Sequence, residues 1–345
     1  MKVFFFASAL SIVGSCATKS YTEKIQDIKD HIVFDQPELV NNYASTITEE
    51  ELKSYVYELS SKDFEGRKTG ELGHNKASKL IKNYYIKQNI PSPLGASNYY
   101  QNIPKSYFTN GIKSSQNVLA YIEGREFPNE IIIISAHLDH LGVENGLINY
   151  GADDNGSGTS AIMEIAQAFK KAKDDGYGPK RSILFLHVTG EEEGLVGSRY
   201  YTEHPVFPLE HTITNLNIDM IGRVDKAHET NSNYIYIIGA DRLSTELHYI
   251  SEASNTNFSK LQLDYKFNSE NDVHRYYYRS DHYNFAEKDI PVIFYFSGEH
   301  EDYHKPTDTP EKINYSLLTQ RTKLIFYTAW YLANSESPIK ADKIE

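Results

Sequence analysis

The chain has 345 residues, enough for one large α/β domain or two smaller ones, and its 40 % hydrophobic content is that of a globular protein with a buried core. A formal net charge of −12 argues against a nucleic-acid partner, because a phosphate-binding surface needs clustered lysine and arginine. With one cysteine, no disulfide can form within the chain, so stability rests mainly on the core.

In chain order, residues 1–15 read as a signal segment: Lys2, then the almost wholly apolar run Val3 to Val13, then Gly14-Ser15-Cys16. The tetrad Val13 to Cys16 resembles a bacterial lipobox, which implies that Cys16 is lipidated, becomes the new N-terminus and holds the protein at a lipid bilayer of the bacterial cell envelope, periplasmic or outer-membrane. Residues 16–42 are polar with no sustained helical period and read as a flexible tether. Residues 43–335 then form one domain, and 336–345 a short loose tail. Helical spacing predicts helices over Thr46–Ser60 and Asn75–Gln88, with the polar stretch Asp63–Gly70 as a loop between them.

From Asn117 onward strands and helices alternate. Strands are predicted over Asn117–Ile122, Glu130–Ala136, Ser182–Val188, Thr212–Ile218, Tyr234–Ile238, Leu261–Phe267 and Pro291–Phe296. Helices fill Thr159–Lys173, Leu195–His204, Ser244–Ser254, Asp281–Lys288 and Asn314–Ala333. This alternation implies an α/β fold, with a mostly parallel central sheet covered by helices on both faces.

Chemistry-bearing residues gather after these strands. His137-Leu138-Asp139 ends one apolar run, and Gly151-Ala152-Asp153-Asp154-Asn155 opens the helix that follows. Glu191-Glu192-Glu193 follows the next strand, Asp219 the one after it, and His300, Asp302, Tyr303 and His304 the last. Strand-to-helix loops of parallel neighbours converge on the carboxyl edge of a sheet, where open α/β folds bind ligands. A set of imidazoles and carboxylates converging there suits zinc. His187, inside an apolar strand, reads as a satisfied core histidine, and His140, His282 and His300 as neighbours of the site. Tyr276-Tyr277-Tyr278 reads as packing or surface.

The ordered set His-x-Asp, Gly-Ala-Asp-Asp-Asn, Glu-Glu-x-Gly-Leu-x-Gly-Ser, Asp-Met and a late His resembles the M28 family of co-catalytic zinc aminopeptidases, over roughly Tyr43 to Ala333. The stretch Leu59 to Gly70 and Ser280-Asp281-His282 resemble it too. The resemblance implies a zinc-exopeptidase-like fold, two Zn²⁺ per chain (or other divalent metals in their place) and peptide substrates with a free N-terminus. It implies that Asp154 bridges both ions, that His137 and Asp219 complete one site, and that Glu192 and His304 complete the other. Glu191 is then the general base, and Asp139 accepts the second ring N–H of His137. Tyr303 aims at the developing oxyanion, with Tyr283 as a rival. A single-zinc glutaminyl cyclase and a carboxypeptidase using Arg223, Arg275 or Arg279 are the alternative readings.

Overall fold

The run Ile131-Ile132-Ile133-Ile134 sits at the centre of a sheet, fully buried, because branched side chains pointing to both faces need cover on both. Each such side chain contributes about 1.5–3 kcal/mol on burial. The structure, a computed structural model, describes residues 19–344 apart from 96 and 110, so the signal segment and Cys16 lie outside the described residues. The described chain divides after Val33 into two units. The first holds a helix α1 (Tyr21–His31) started by a Ser20–Glu23 capping box.

The second unit carries the sheet. Its strands are β1 (Tyr100–Ile103), β2 (Ser115–Ile122), β3 (Phe127–His137), the hairpin β4 (Gly142–Glu144) and β5 (Leu147–Asn149), β6 (Arg181–Val188), β7 (Thr212–Ile218), β8 (Tyr234–Ile238), β9 (Gln262–Asp264) and β10 (Val292–Phe296). Eight of them form one sheet in the order β1-β2-β6-β3-β7-β10-β8-β9. The central four, β6-β3-β7-β10, run parallel to one another, whereas β2 and β8 are antiparallel to their inner neighbours. The sheet is therefore mixed, with a parallel centre.

Helices α2 (Pro37–Ala44), α3 (Glu49–Leu59), α4 (Leu72–Lys87), α5 (Gly158–Asp174), α6 (Val196–Glu203), α7 (Thr245–Ser254), α8 (His282–Ala286) and α9 (Tyr315–Asn334) complete the unit. On one face Tyr201 of α6 and Phe285 of α8 share a core cluster with Ile131, Ile133 and Leu186. On the other, α5 and α9 pack on the sheet and on each other, with Phe169 stacked on Trp330 at a ring separation of 5.7 Å. No helix among the described residues is long and apolar enough to cross a membrane.

The structure departs from the sequence reading in several places. Tyr21–His31 and Pro37–Ala44 are helical although no sustained period was visible there; α1 buries no residue, so it needs no apolar stripe. The strand expected over Leu261–Phe267 pairs only over Gln262–Asp264, since Lys266–Asn268 turns away. The end of the chain is tied down: Asp342 Oδ1 accepts the Thr245 N–H at 2.7 Å. The stretch Asp63–Gly70, expected as an open polar loop, is a short 3-10 turn that buries Phe64 and Arg67.

Candidate metal centre

All four parallel strands end at the same edge, and each delivers a ligand-bearing loop there. His137 is the last residue of β3; Glu191 and Glu192 follow β6, Asp219 follows β7, and the segment to His304 follows β10. Asp154 lies in the irregular turn before α5. These loops are bent through left-handed residues that only a well-determined setting tolerates: φ is 54° at Met220, 57° at Leu195 and 56° at His304.

The donor atoms form two sets joined by one carboxylate. His137 Nε2 lies 3.2 Å from Asp154 Oδ1 and 3.2 Å from Asp219 Oδ1. His304 Nε2 lies 3.2 Å from Asp154 Oδ2 and 3.2 Å from Glu192 Oε2. Each oxygen of Asp154 thus serves a different histidine. Two ligands about 2.0–2.1 Å from a tetrahedral zinc are about 3.3 Å apart, so these separations match the edges of two tetrahedra. The first set, His137, Asp154 and Asp219, is wholly buried.

Ring chemistry supports this fit. His137 Nδ1 faces the main-chain carbonyl of Asp139 at 3.1 Å, and a carbonyl can only accept, so the proton sits on Nδ1 and the neutral ring presents a lone pair at Nε2. That lone pair faces two carboxylate oxygens, an arrangement that calls for a cation between them. Without an ion a proton takes that place: burial opposes charge on His304, yet Asp154 and Glu192 push its pKa up to about 10. Burial likewise opposes charge on His137, and Asp219, Glu191 and Asp154 outweigh it.

Neighbouring side chains set these donors. Asn155 Nδ2 donates to Ile218 O at 2.8 Å, and Asp153 Oδ1 accepts the Gly222 N–H at 2.6 Å, so the residues flanking Asp154 fasten its loop to the Asp219 loop. Asp308 accepts the N–H groups of Asp153 and Asp154, at 3.0 and 3.2 Å. The Ser280 hydroxyl donates to Asp219 Oδ2 at 2.7 Å, leaving Oδ1 toward His137.

Asp139 differs from its expected part. Its carboxylate is 4.0 Å from His137 Nδ1, beyond hydrogen-bonding reach, because it is held by the Thr69 hydroxyl at 2.7 Å and the Glu191 N–H at 3.2 Å. The main-chain carbonyl of Asp139 takes the ring proton instead. Glu191 belongs to neither donor set and lines an open cleft with Asp154, Asp219, Tyr303 and His304. Burial raises its pKa; the nearby His137 lowers it, while Glu192, Asp219 and Asp281 add to the rise. Tyr303 lines the same cleft, stacked on His304 at 3.8 Å, and burial together with Asp154 and Glu192 keeps its phenol protonated. Tyr283, the rival, packs against Tyr278 at 5.0 Å and does not line the cleft.

His140, expected as a neighbour of the site, stands beside the second donor set. Its Nδ1 lies 2.8 Å from Glu192 Oε1 and 3.7 Å from Asp154 Oδ2, and these three residues group as a possible ion site. A separation of 2.8 Å is that of a charge-assisted hydrogen bond and shorter than a ligand edge, so His140 orients Glu192 and leaves Oε2 for His304. Its position three residues after His137, in His-x-Asp-His, was the available signal. His300 stands farther back, with Nε2 3.4 Å from Asp153 Oδ2, and the buried His282 stacks on Phe294 at 4.8 Å. His187 is a core residue bonded to the Tyr85 hydroxyl at 2.7 Å, and burial pulls its pKa down to about 3. Tyr276 both packs on Phe296 and lines the cleft, whereas Tyr277 packs against Arg242. Of the three arginines, Arg279 lines the cleft and is paired with Glu299 at 2.9 Å; Arg223 is paired with Asp302 at 3.0 Å, and Arg275 lies over the Tyr278 ring.

The chain is similar to several known proteins. Aminopeptidase YwaD of Bacillus subtilis (strain 168) is 29 % identical over 245 residues, covering 68 % of this chain and 48 % of its own length. Leupeptin-inactivating enzyme 1 of Streptomyces exfoliatus is 28 % identical over 246 residues, 65 % of this chain and 50 % of its own. The chain thus spans about half the length of these curated relatives. Among solved structures, BSAP, a zinc aminopeptidase from Bacillus subtilis, superposes with a TM-score of 0.64 at 18 % identity, covering 86 % of this chain and 99 % of that one, a likeness of fold. The profile of peptidase family M28 matches residues 117–329, more than half of the chain, running from within β2 into α9 and including every donor, and the chain belongs to that family.

Proposed function

We propose that this protein is a two-zinc aminopeptidase that hydrolyses the N-terminal residue from peptides. The observation that carries the reading is Asp154, whose two oxygens face different histidines at 3.2 Å each, the arrangement of a carboxylate shared by two ions. Its activity class is supported by membership of family M28 and by the aminopeptidase relative. When bound, a pair of divalent ions supplies an acidified water and a polarised scissile carbonyl.

The protein's own groups do the rest. Glu191, in the cleft but outside both donor sets, accepts the proton of the attacking water and passes it to the leaving amine. Its raised pKa suits a carboxylate that must hold a proton between those two transfers. The Tyr303 phenol, kept protonated, donates to the oxyanion that develops on the carbonyl. Phe296 and Tyr276 give the cleft an apolar wall for a substrate side chain, and the Asp219 carboxylate in the same cleft attracts the free α-amine. A carboxypeptidase is disfavoured because the one cleft arginine of the three, Arg279, is already neutralised by Glu299. A single-zinc cyclase would leave the buried set of His137, Asp154 and Asp219 without a purpose. At the level of the cell, the lipobox-like Val13 to Cys16 supports a lipidated protein of the bacterial envelope.

The test is the fate of a peptide with and without an N-acetyl cap, followed by mass spectrometry. The reading predicts stepwise release of the first residue from the free peptide only, abolished by chelation and restored by zinc. Equal cleavage of capped and free peptides, or pyroglutamate from an N-terminal glutamine, contradicts it.

A further inference from the structure

Arg67 is 1 % exposed, and its guanidinium is spent on main-chain carbonyls. Nε donates to Leu138 O at 3.0 Å, Nη1 to Leu59 O and Tyr150 O at 2.8 Å each, and Nη2 to Gly151 O at 2.7 Å. Leu138 directly follows His137, while Tyr150 and Gly151 lead into the turn that carries Asp154. One planar fork therefore fastens the loops of two donors to each other and to the end of α3. Lysine, with all its donors on one nitrogen, cannot reach four carbonyls spread over two loops and a helix end.

The local backbone is shaped to deliver this side chain. Glu65, Gly66 and Arg67 all lie in the left-handed region, with φ of 49°, 66° and 51°. A Cβ on Gly66 would stand 2.3 Å from Asn149 O and 2.7 Å from Gly142 O, so the chain passes against the β4–β5 hairpin only as glycine. The Arg67 carbonyl accepts the His140 N–H at 3.3 Å, tying the turn to a third residue of the site. The two non-glycine residues in left-handed backbone, Glu65 and Arg67, cost on the order of 1–3 kcal/mol each, which persists only where the surroundings impose it.

Charge adds to geometry. Burial pulls the Arg67 pKa down to about 10, but Asp154, Asp308, Asp139 and Glu192 hold it up, so the group stays cationic at neutral pH. A fixed positive charge thus sits behind the acidic donors and offsets their mutual repulsion.

We propose that Arg67 is the positioning residue of the metal centre: it locks the His137 and Asp154 loops together and pre-forms the donor set before any ion arrives, an inference that rests on the metal-dependent reading above. Neither donor set includes Arg67, and it does not line the cleft, so it acts on the donors without binding ion or substrate itself.

The experiment is zinc titration of the metal-stripped protein against a chromophoric chelator, for wild type, Arg67→Lys and Arg67→Met, with circular dichroism to count the folded fraction. Loss of a group that orients ligands costs about 10–100-fold in metal affinity, and that weakening is expected for the folded fraction of Arg67→Lys, with Arg67→Met weaker still. Turnover per bound ion should return toward wild type at saturating zinc. Wild-type zinc affinity in a variant that only melts earlier would mean a purely structural role and overturn the proposal. Hydrogen exchange on unmutated, metal-stripped protein gives a check that needs no variant: amides of residues 138–140 and 152–156 should already be protected, and free exchange there would equally overturn it. A wild type that binds no zinc would fail the metal reading itself, an outcome distinct from variants that bind as well as wild type.

Discussion

Exchanging Glu191 for glutamine separates a proton carrier from a ligand. The side chain lies in the cleft but in neither donor set, and the residue is fastened through its main chain, the N–H donated to Asp139 Oδ1 at 3.2 Å and the carbonyl accepting the Gly194 and Leu195 N–H groups at 2.9 Å each, which the substitution leaves intact. Glutamine has the same shape and cannot take a proton. Glu191→Gln should therefore keep the full complement of metal and lose about 10²–10⁴-fold in turnover, the span of general acid–base catalysis, or about 2.7–5.4 kcal/mol at 1.36 kcal/mol per decade. Glu192→Gln behaves differently, because both of its oxygens are engaged, Oε1 by His140 at 2.8 Å and Oε2 facing His304 at 3.2 Å. An amide offers one acceptor oxygen, so this variant should lose metal as well as turnover. The assay pairs release of an aminoacyl anilide with elemental analysis of the same sample. Normal turnover in Glu191→Gln would refute the assignment of the base, and loss of its metal would place Glu191 among the ligands.

Tyr303→Phe should lower kcat on the order of 10²-fold with KM nearly unchanged, the effect of removing one oxyanion donor; an unchanged kcat would take the phenol out of the reaction. Glu164, 1 % exposed, has one oxygen on the Thr48 N–H at 3.0 Å and the other without a partner, and burial pushes its pKa from 4.5 to about 8. An acid whose folded pKa is raised loses its contribution to stability as pH rises from the unfolded value through the folded one, here from 4.5 to about 8, with an upper figure of about 5 kcal/mol at about 1.4 kcal/mol per pH unit. Melting of Glu164→Gln should gain on wild type across that window and keep a constant lead above it; parallel curves would contradict the buried charge. Cys16→Ser should release the protein from membranes into the soluble fraction, since Cys16 is the only cysteine available for lipid; a membrane-bound variant would rule out the lipid anchor.

The sequence made the centre of the sheet legible for a physical reason. Strands such as Ile131–Ile134 and Ile183–Leu186 are apolar without interruption because helices cover both faces, and the acid and imidazole donors sit beyond their carboxyl ends. Edges were less legible. The four residues of β1 and the three each of β4 and β5 are too short to establish a period, although Asn145-Gly146, with φ of 50° and 78°, was a hairpin signal in plain view. The donor residues could be named because imidazoles and carboxylates follow these strands in the order of the M28 motifs, and the resemblance assigns their parts. Their orienting partners could not, because those contacts are long-range and often to main chain: Arg67 reaches Leu138, Tyr150 and Gly151, and the Asp139 carbonyl displaces its own carboxylate from His137. No periodicity encodes which atom of a residue faces a ring.

The central claim is that Asp154 is shared between two ions, and the metal count tests it most directly. Protein loaded with zinc, freed of excess by gel filtration and measured by elemental analysis against an amino-acid-derived concentration should carry two ions per chain, falling to one or none in Asp154→Asn. One ion in fully active wild-type protein would contradict the two-set geometry of His137 with Asp219 and His304 with Glu192.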